Sequence, residues 1–170
     1  MATGPRYAVR FRRRREGKTN YLKRLALAKS GKPRLIVRKS SKYIMVQFNQ
    51  FDPKGDKTLL TVNSSKLKDF GWKHNFKNIP AAYLTGLLAG KLAGNAKITQ
   101  AVADIGLHTA TKGAKVFAVL KGAADSGLKF ALGEEIAPSK ERIEGKHIAD
   151  YRKIDLKHDF EAVKAKIISG

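Results

Sequence analysis

Cysteine is absent from this chain of 170 residues. Its absence excludes disulfide bonds, thiolate nucleophiles and cysteine-based zinc sites. The four histidines show no metal-ligand spacing, so we predict no metal and no cofactor. Long apolar runs are missing too, because no stretch approaches the roughly 18 apolar residues of a membrane span, and the first residues lack the apolar block of a signal peptide. We therefore expect a cytoplasmic protein with no membrane partner.

Acidic residues are scarce at the start of the chain. Of the 35 Lys and Arg residues, 15 lie within residues 1–42, against a single acid, Glu16. The other 20 basic residues accompany 13 acids, so the rest of the chain is only mildly basic. This asymmetry indicates a polyanionic partner rather than a small acidic substrate. A hydrophobic content of 42% is sufficient for one folded domain.

The basic arm, residues 1–18, shows no apolar periodicity, and we expect it to be extended and disordered until a partner binds. Its run of four arginines, residues 12–15, lies between Tyr7, Phe11 and Tyr21. Guanidinium groups bind phosphate oxygens, and aromatic rings stack on unpaired bases. The arm therefore predicts a nucleic acid with unpaired bases as the partner, and we expect RNA and no DNA.

Apolar periodicity predicts an α/β domain over residues 19–132, followed by a C-terminal region over residues 133–170. The predicted elements of the domain are a helix over 21–29, strands over 34–39, 43–51 and 58–62, a helix over 80–92, a strand over 101–107 and a helix over 113–130. The first three strands should form an antiparallel meander within a mixed sheet. We expect a surface tail over residues 133–153 and a helix over 155–168.

Three glycines, Gly86, Gly90 and Gly94, recur at four-residue spacing in the helix over 80–92 and just beyond it. Each costs roughly 1 kcal/mol of helix propensity relative to alanine, which indicates a packing requirement. We expect this helix to pack closely against the sheet.

Three aromatic residues, Phe70, Trp72 and Phe76, lie in the polar segment 64–78. They have two interpretations, as rings that stack on bases or as a hydrophobic anchor for this connecting segment. General tendencies of aromatic burial favour the anchor.

A metal-dependent nuclease is the alternative function, because a three-strand meander followed by helix, strand and helix resembles the ribonuclease H-like architecture. Such enzymes hold two Mg²⁺ ions about 4 Å apart with several carboxylates. The strand over 34–39 and the helix over 80–92 contain no acid, and only Asp104 lies on a predicted core strand. We therefore predict that the protein is not an enzyme.

Six segments, in order along most of the chain, resemble the archaeal form of the large-subunit ribosomal protein eighteen family, whose eukaryotic counterpart carries 5S rRNA. They are Gly4-Pro5-Arg6-Tyr7 with the arginine run, and residues 17–21, 33–40, 83–90, 116–123 and 141–148. The chain lacks the long C-terminal extension of the eukaryotic members and exceeds the compact bacterial form. The resemblance thus favours an archaeal origin.

The resemblance implies a mixed α/β domain of the translational-machinery type that binds 5S rRNA. It also implies attachment of 5S rRNA to large-subunit rRNA in the central protuberance, beside neighbouring large-subunit ribosomal proteins. The residues that inherit the RNA-binding role are Arg6, Arg10, Arg12, Arg13, Arg14, Arg15, Lys18, Thr19, Tyr21, Arg24, Arg38, Lys39, Ser41 and Tyr43.

Overall fold

The computed structural model describes residues 4–169, which form four β-strands and seven α-helices. The strands are β1 (Arg34–Lys39), β2 (Ile44–Gln50), β3 (Lys57–Asn63) and β4 (Val102–Asp104). The helices are α1 (Arg12–Arg15), α2 (Tyr21–Lys29), α3 (Ile79–Asn95), α4 (Lys115–Asp125), α5 (Lys140–Glu144), α6 (Lys146–Arg152) and α7 (Leu156–Ser169). Two 3-10 turns cover Ser64–Lys68 and Glu134–Ile136. Within the described range, no helix has the length and apolar character that crossing a membrane requires.

The four strands form one mixed sheet in the order β3-β2-β1-β4. Strand β2 pairs antiparallel with β1 on one side and with β3 on the other. Strand β4 pairs parallel with β1, on the side of β1 that faces away from β2. In this register Val37 lies opposite Val46, and Ile36 lies opposite Asp104. The predicted mixed α/β class is confirmed.

One face of the sheet forms the core with helices α3 and α4. Alternation along β1 and β2 directs Leu35, Val37, Val46 and Phe48 to this face, where all four are fully buried. Each large apolar side chain buried in this way contributes about 1.5 to 3 kcal/mol. The sheet is thus held by its helical layer, and its other face remains available for polar contacts.

Helix α3 packs closely against helix α4, not primarily against the sheet. A Cβ atom on Gly86 would overlap the main-chain oxygen of Val119, and one on Gly122 would overlap the main-chain oxygen of Tyr83. The third glycine of the predicted series, Gly94, has open space around it. Helix α3 does contact strands β2 and β3, as expected, but its closest approach is to helix α4, because glycines on both helices bring the two backbones together.

The aromatic segment before α3 anchors the fold. Trp72 is 1% exposed, and its indole N–H donates to the main-chain oxygen of Asn75 at 3.2 Å. Phe70 and Phe76 are half-buried and pack against the core. This placement favours the anchor interpretation over base stacking.

Strand β4 and helix α4 are shorter than predicted. A glycine with a positive φ angle follows each of them within two residues. The strand predicted over 101–107 ends at Asp104, whose side chain accepts the N–H of Gly106 at 2.8 Å in a turn where Gly106 has φ 66°. Helix α4 ends at Asp125, two residues before Gly127, which has φ 99°. Glycine adopts these angles without steric cost, so it allows the chain to turn at both places.

Residues 133–153 form more than the expected surface tail. They include helices α5 and α6, which are separated by Gly145 with φ 83°, and Ile143 of α5 is buried in the core. Helices of five and seven residues are too short to show periodicity in the sequence, which explains the error. The predicted terminal helix is present as α7, and Lys91 of α3 donates to the main-chain oxygens of Ile167 and Ile168 near its end.

Candidate nucleic-acid interface

The described part of the basic arm, residues 4–18, is exposed throughout. The arginine run forms the single helical turn α1 and buries none of its side chains. This turn differs from the expected extended chain, because the N–H groups of Arg15 and Glu16 bond to the carbonyls of Phe11 and Arg12. All four guanidinium groups can therefore be reached by a polyanion.

Three local contacts hold the arm near the start of helix α2, and the first of them reaches the helix itself. Phe11 and Tyr21 place their ring centroids 5.1 Å apart. Arg13 Nε donates to the Thr19 hydroxyl at 2.8 Å, and Lys18 forms a 2.8 Å ion pair with Glu16. Helix α2 begins as predicted, since the Asn20 side chain accepts the Lys23 N–H at 3.1 Å.

A cleft of about 490 Å³ lies between the arm, helix α2 and the polar face of the sheet. We call it the sheet cleft. Six basic residues line it, namely Arg13, Lys18, Lys23, Arg24, Arg34 and Arg38. The only acids among its lining residues are Asp56 and Asp104. Its surface is therefore strongly cationic.

An ion-pair network fixes the floor of the sheet cleft. Asp56 accepts from Arg24 at 3.0 Å and also pairs with Arg34. Asp104 pairs with Arg34 at 3.2 Å and with Arg38 at 3.1 Å. Both acids are thus neutralised from within the fold, and three arginines share two carboxylates. A net positive charge remains for an external anion.

Arg34, which is not among the predicted site residues, is only 4% exposed. Its partner Asp56 is likewise absent from the predicted site residues. The signal in the sequence was indirect: Asp56 immediately precedes β3, and Arg34 can reach it only because β2 pairs with both β1 and β3. A charge that is buried in this way requires a partner, which Asp56 supplies.

The structure divides the fourteen predicted RNA-binding residues into groups. The sheet cleft brings together five of them: Arg13, Lys18, Thr19, Arg24 and Arg38. The other arm residues, Arg6, Arg10, Arg12, Arg14 and Arg15, are exposed outside its lining. Tyr21 is half-buried against Phe11.

The last three predicted residues lie away from the sheet cleft. Lys39 and Ser41 line a separate groove, in which Lys77 donates to the Ser41 main-chain oxygen at 3.1 Å. Tyr43 is 38% exposed, and its ring centroid lies 5.9 Å from that of Phe76. The sheet cleft and the separate groove therefore each contain some of the predicted residues, and the others line neither.

Positive potential at the end of β1 affects a nearby histidine. The pKa of His108 is lowered from its ordinary value, first by partial burial and then by the charges of Lys39 and Arg38. At neutral pH the ring therefore favours its uncharged form, in which one nitrogen donates and the other accepts.

The acid that kept the nuclease alternative open has a structural role. Asp104 holds Arg34 and Arg38 and accepts the N–H of Gly106, so its oxygens are already engaged. Among the residues that the structure describes, no three His, Cys, Asp or Glu side chains are grouped so that they could hold a metal ion. Nothing in this geometry supports two-metal phosphodiester cleavage.

Comparison with known proteins identifies the family. The family described as "Ribosomal large subunit proteins 60S L5, and 50S L18" matches residues 5–101 and 90–132. The chain is also 48% identical over 168 residues to the large ribosomal subunit protein uL18 of the archaeon Methanothrix thermoacetophila. That alignment covers 99% of each protein. The chain therefore belongs to the ribosomal protein family that includes 60S L5 and 50S L18 of the large subunit.

Proposed function

We propose that the protein binds 5S rRNA and helps attach it to large-subunit rRNA in the central protuberance, beside neighbouring ribosomal proteins. Its family membership makes it a ribosomal protein of the large subunit, located on the cytoplasmic ribosome. The role is that of a structural constituent, not of an enzyme.

The observation that carries this proposal is the cationic sheet cleft together with the exposed arginine run. The two acids of the cleft offset only two of its six cations, and Lys18 pairs with Glu16, so a net positive charge remains. Arginine neutralises phosphate and releases condensed counterions, which is the main source of affinity for nucleic acid. The arm and cleft together supply such contacts along one continuous surface.

The proposed RNA-binding set comprises the arm and the residues around β1. Its members are Arg6, Arg10, Arg12, Arg13, Arg14, Arg15, Lys18, Thr19, Tyr21, Arg24, Arg38, Lys39, Ser41 and Tyr43. Arginine and lysine would contact phosphates, Thr19 and Ser41 would contact phosphate or the ribose 2′-hydroxyl, and the tyrosines would stack on bases.

The proposal assigns a different role to each of three segments of the chain. Residues 1–18 act as the RNA-binding arm, residues 19–132 form the 5S rRNA-binding domain, and residues 133–170 complete its surface. We also propose that the fold is of the ribonuclease H-like, translational-machinery type. The strand order β3-β2-β1-β4, with β4 parallel to β1 after helix α3, supports this assignment.

Salt titration of the complex with 5S rRNA tests the proposal. With six to ten phosphate contacts, affinity should fall by about 10³ to 10⁵ between 50 and 200 mM salt. Replacing the four arginines of residues 12–15 by glutamine should reduce the slope of log K against log salt by about 3, since each phosphate contact contributes roughly 0.7 to 0.9.

Specificity for 5S rRNA needs a separate measurement. Unlabelled 5S rRNA should displace the labelled molecule at far lower concentration than transfer RNA does, because shape and unpaired bases add to the phosphate contacts. Equal competition by the two RNAs, or a loss of less than tenfold over the salt range, would contradict the proposal.

A further inference from the structure

A second cationic surface lies outside the sheet cleft. It is a groove of about 590 Å³ that we call the lysine groove, and its cations are Lys39, Lys77, Lys115 and Arg142. They come from four parts of the fold: the end of β1, the segment before α3, the start of α4, and α5. The groove is also lined by Ser40 and Ser41, and no acid is among its lining residues. The fold, and not a charge run in the sequence, brings these cations together.

The charges of the lysine groove are not balanced within the described structure. None of its four cations forms an ion pair with an acid whose side chain the structure describes. The Lys77 ammonium group donates to a neutral main-chain oxygen, that of Ser41. The pKa of Lys115 is lowered, first by partial burial and then by the charges of Lys77 and Lys39. Mutual repulsion of this kind is relieved when a polyanion binds.

The groove continues into a second cavity of about 600 Å³, which shares Lys77 and Lys115 with it. This continuation adds Lys73, Arg152 and Tyr151, and the Tyr151 side chain is 88% exposed. A path of cations suits a phosphodiester chain better than a single phosphate. The exposed Tyr151 ring offers a stacking surface for an unpaired base, which favours RNA over an acidic protein segment.

The lysine groove and the sheet cleft use opposite faces of β1. Arg38 lines the cleft, whereas its neighbour Lys39 lines the groove. Successive strand residues point to opposite faces of a sheet, so one RNA segment cannot contact both side chains by lying flat on one face. An RNA segment in each place would hold the protein between two parts of the ribosomal RNA.

We propose that the lysine groove is a second RNA-binding site, which binds the phosphodiester chain of an rRNA segment distinct from the one held by the arm and the sheet cleft. This site does not depend on the proposed role of the arm. Lys77, Lys115 and Arg142 contact backbone phosphates there, and Tyr151 stacks on a base.

The test compares the full-length variant K77Q/K115Q/R142Q with the control K54Q/K97Q/K129Q, which removes the same charge from exposed residues outside both surfaces. The probes are labelled 5S rRNA and full-length large-subunit rRNA. For at least one probe, the groove variant should lose about 2 units of salt slope, as three lost phosphate contacts require. The control should lose less than one unit on both probes. Indistinguishable slopes for the two variants would overturn the inference.

Lysine footprinting on the unmodified protein gives a readout that does not depend on variant folding. Acylation of Lys77 and Lys115, read by mass spectrometry, should be suppressed in the complex with at least one of the two rRNA probes. Suppression should persist when the four arginines of residues 12–15 are replaced by glutamine, which separates this site from the arm. Protection by polyglutamate but by neither rRNA would refute the RNA site and identify a surface for an acidic protein.

Discussion

Asp104 illustrates how one side chain organises the cleft. It is 7% exposed, and it receives Arg34 and Arg38 on different oxygens. Carboxylates that hold two guanidinium groups fix the direction in which those groups point. Arg38 is thereby positioned at the cleft surface, while Arg34 is kept beneath it. Asp104, which the sequence analysis considered as a metal ligand, therefore positions the guanidinium groups of Arg34 and Arg38 instead.

Removing the charge of Asp104 should destabilise the protein. Asp104→Asn leaves buried Arg34 and neighbouring Arg38 without this counterion, and breaking a buried pair in this way costs about 3 kcal/mol. Urea denaturation measures the change. Asp150→Asn is a matched control, since Asp150 is exposed on α6, and its effect should stay within about 0.5 kcal/mol. An Asp104→Asn variant as stable as the control would show that the network does not hold the arginines.

At the scale of single elements, the sequence pattern predicts the bounds of those helices and strands that are determined by interactions between nearby residues. Strand β1 and helix α2 have the predicted bounds, because the apolar run of β1 and the Asn20 cap of α2 are encoded within a few residues. The burial of Arg34 could not be predicted, since its cover comes from Asp56 and helix α2 after folding. The lysine groove was missed for the same reason, because single cations far apart in the sequence give no pattern.

The contact between α3 and α4 could not be predicted from the sequence either, although the spacing of the α3 glycines was recognised. The four-residue spacing of Gly86 and Gly90 indicates a close approach but does not identify the partner. The partner includes Val119 and Ser126, more than 30 positions further along the chain. Gly122, which lies outside the spacing pattern, provides the reciprocal close approach.

Alanine substitutions should distinguish the packed glycines from the open one. Gly86→Ala and Gly122→Ala force a methyl group against main-chain atoms of the facing helix, so each should lower the free energy of unfolding by about 3 kcal/mol or more. Gly94→Ala meets nothing within 4 Å and should instead stabilise the protein by up to about 1 kcal/mol through helix propensity. Thermal denaturation of the three variants checks this. Equal effects at Gly86 and Gly94 would contradict the packing.

At the scale of the whole molecule, most cationic groups lie apart from the apolar core, and buried Arg34 is an exception. The buried apolar side chains belong to β1–β3, α3, α4, α7 and the segments that join them, whereas no residue of the range 4–18 is buried. The exposed cationic surface is suited to RNA, which agrees with the ribosomal family that the sequence indicated. Composition predicted the charge of this surface, but only the fold shows that it divides between two faces.

Deleting residues 1–18 should separate binding from stability. The described part of this segment buries nothing, so the free energy of unfolding should change by no more than about 0.5 kcal/mol. Affinity for 5S rRNA should nevertheless fall strongly, because seven basic side chains are lost. The slope of log K against log salt should decrease by about 5 if each of them contacts one phosphate. Urea denaturation and salt titration of the truncated and full-length chains measure the two effects. A residual slope should remain, since most cations of the sheet cleft and all those of the lysine groove are retained. Loss of cooperative unfolding on truncation would instead show that the arm is part of the folded body.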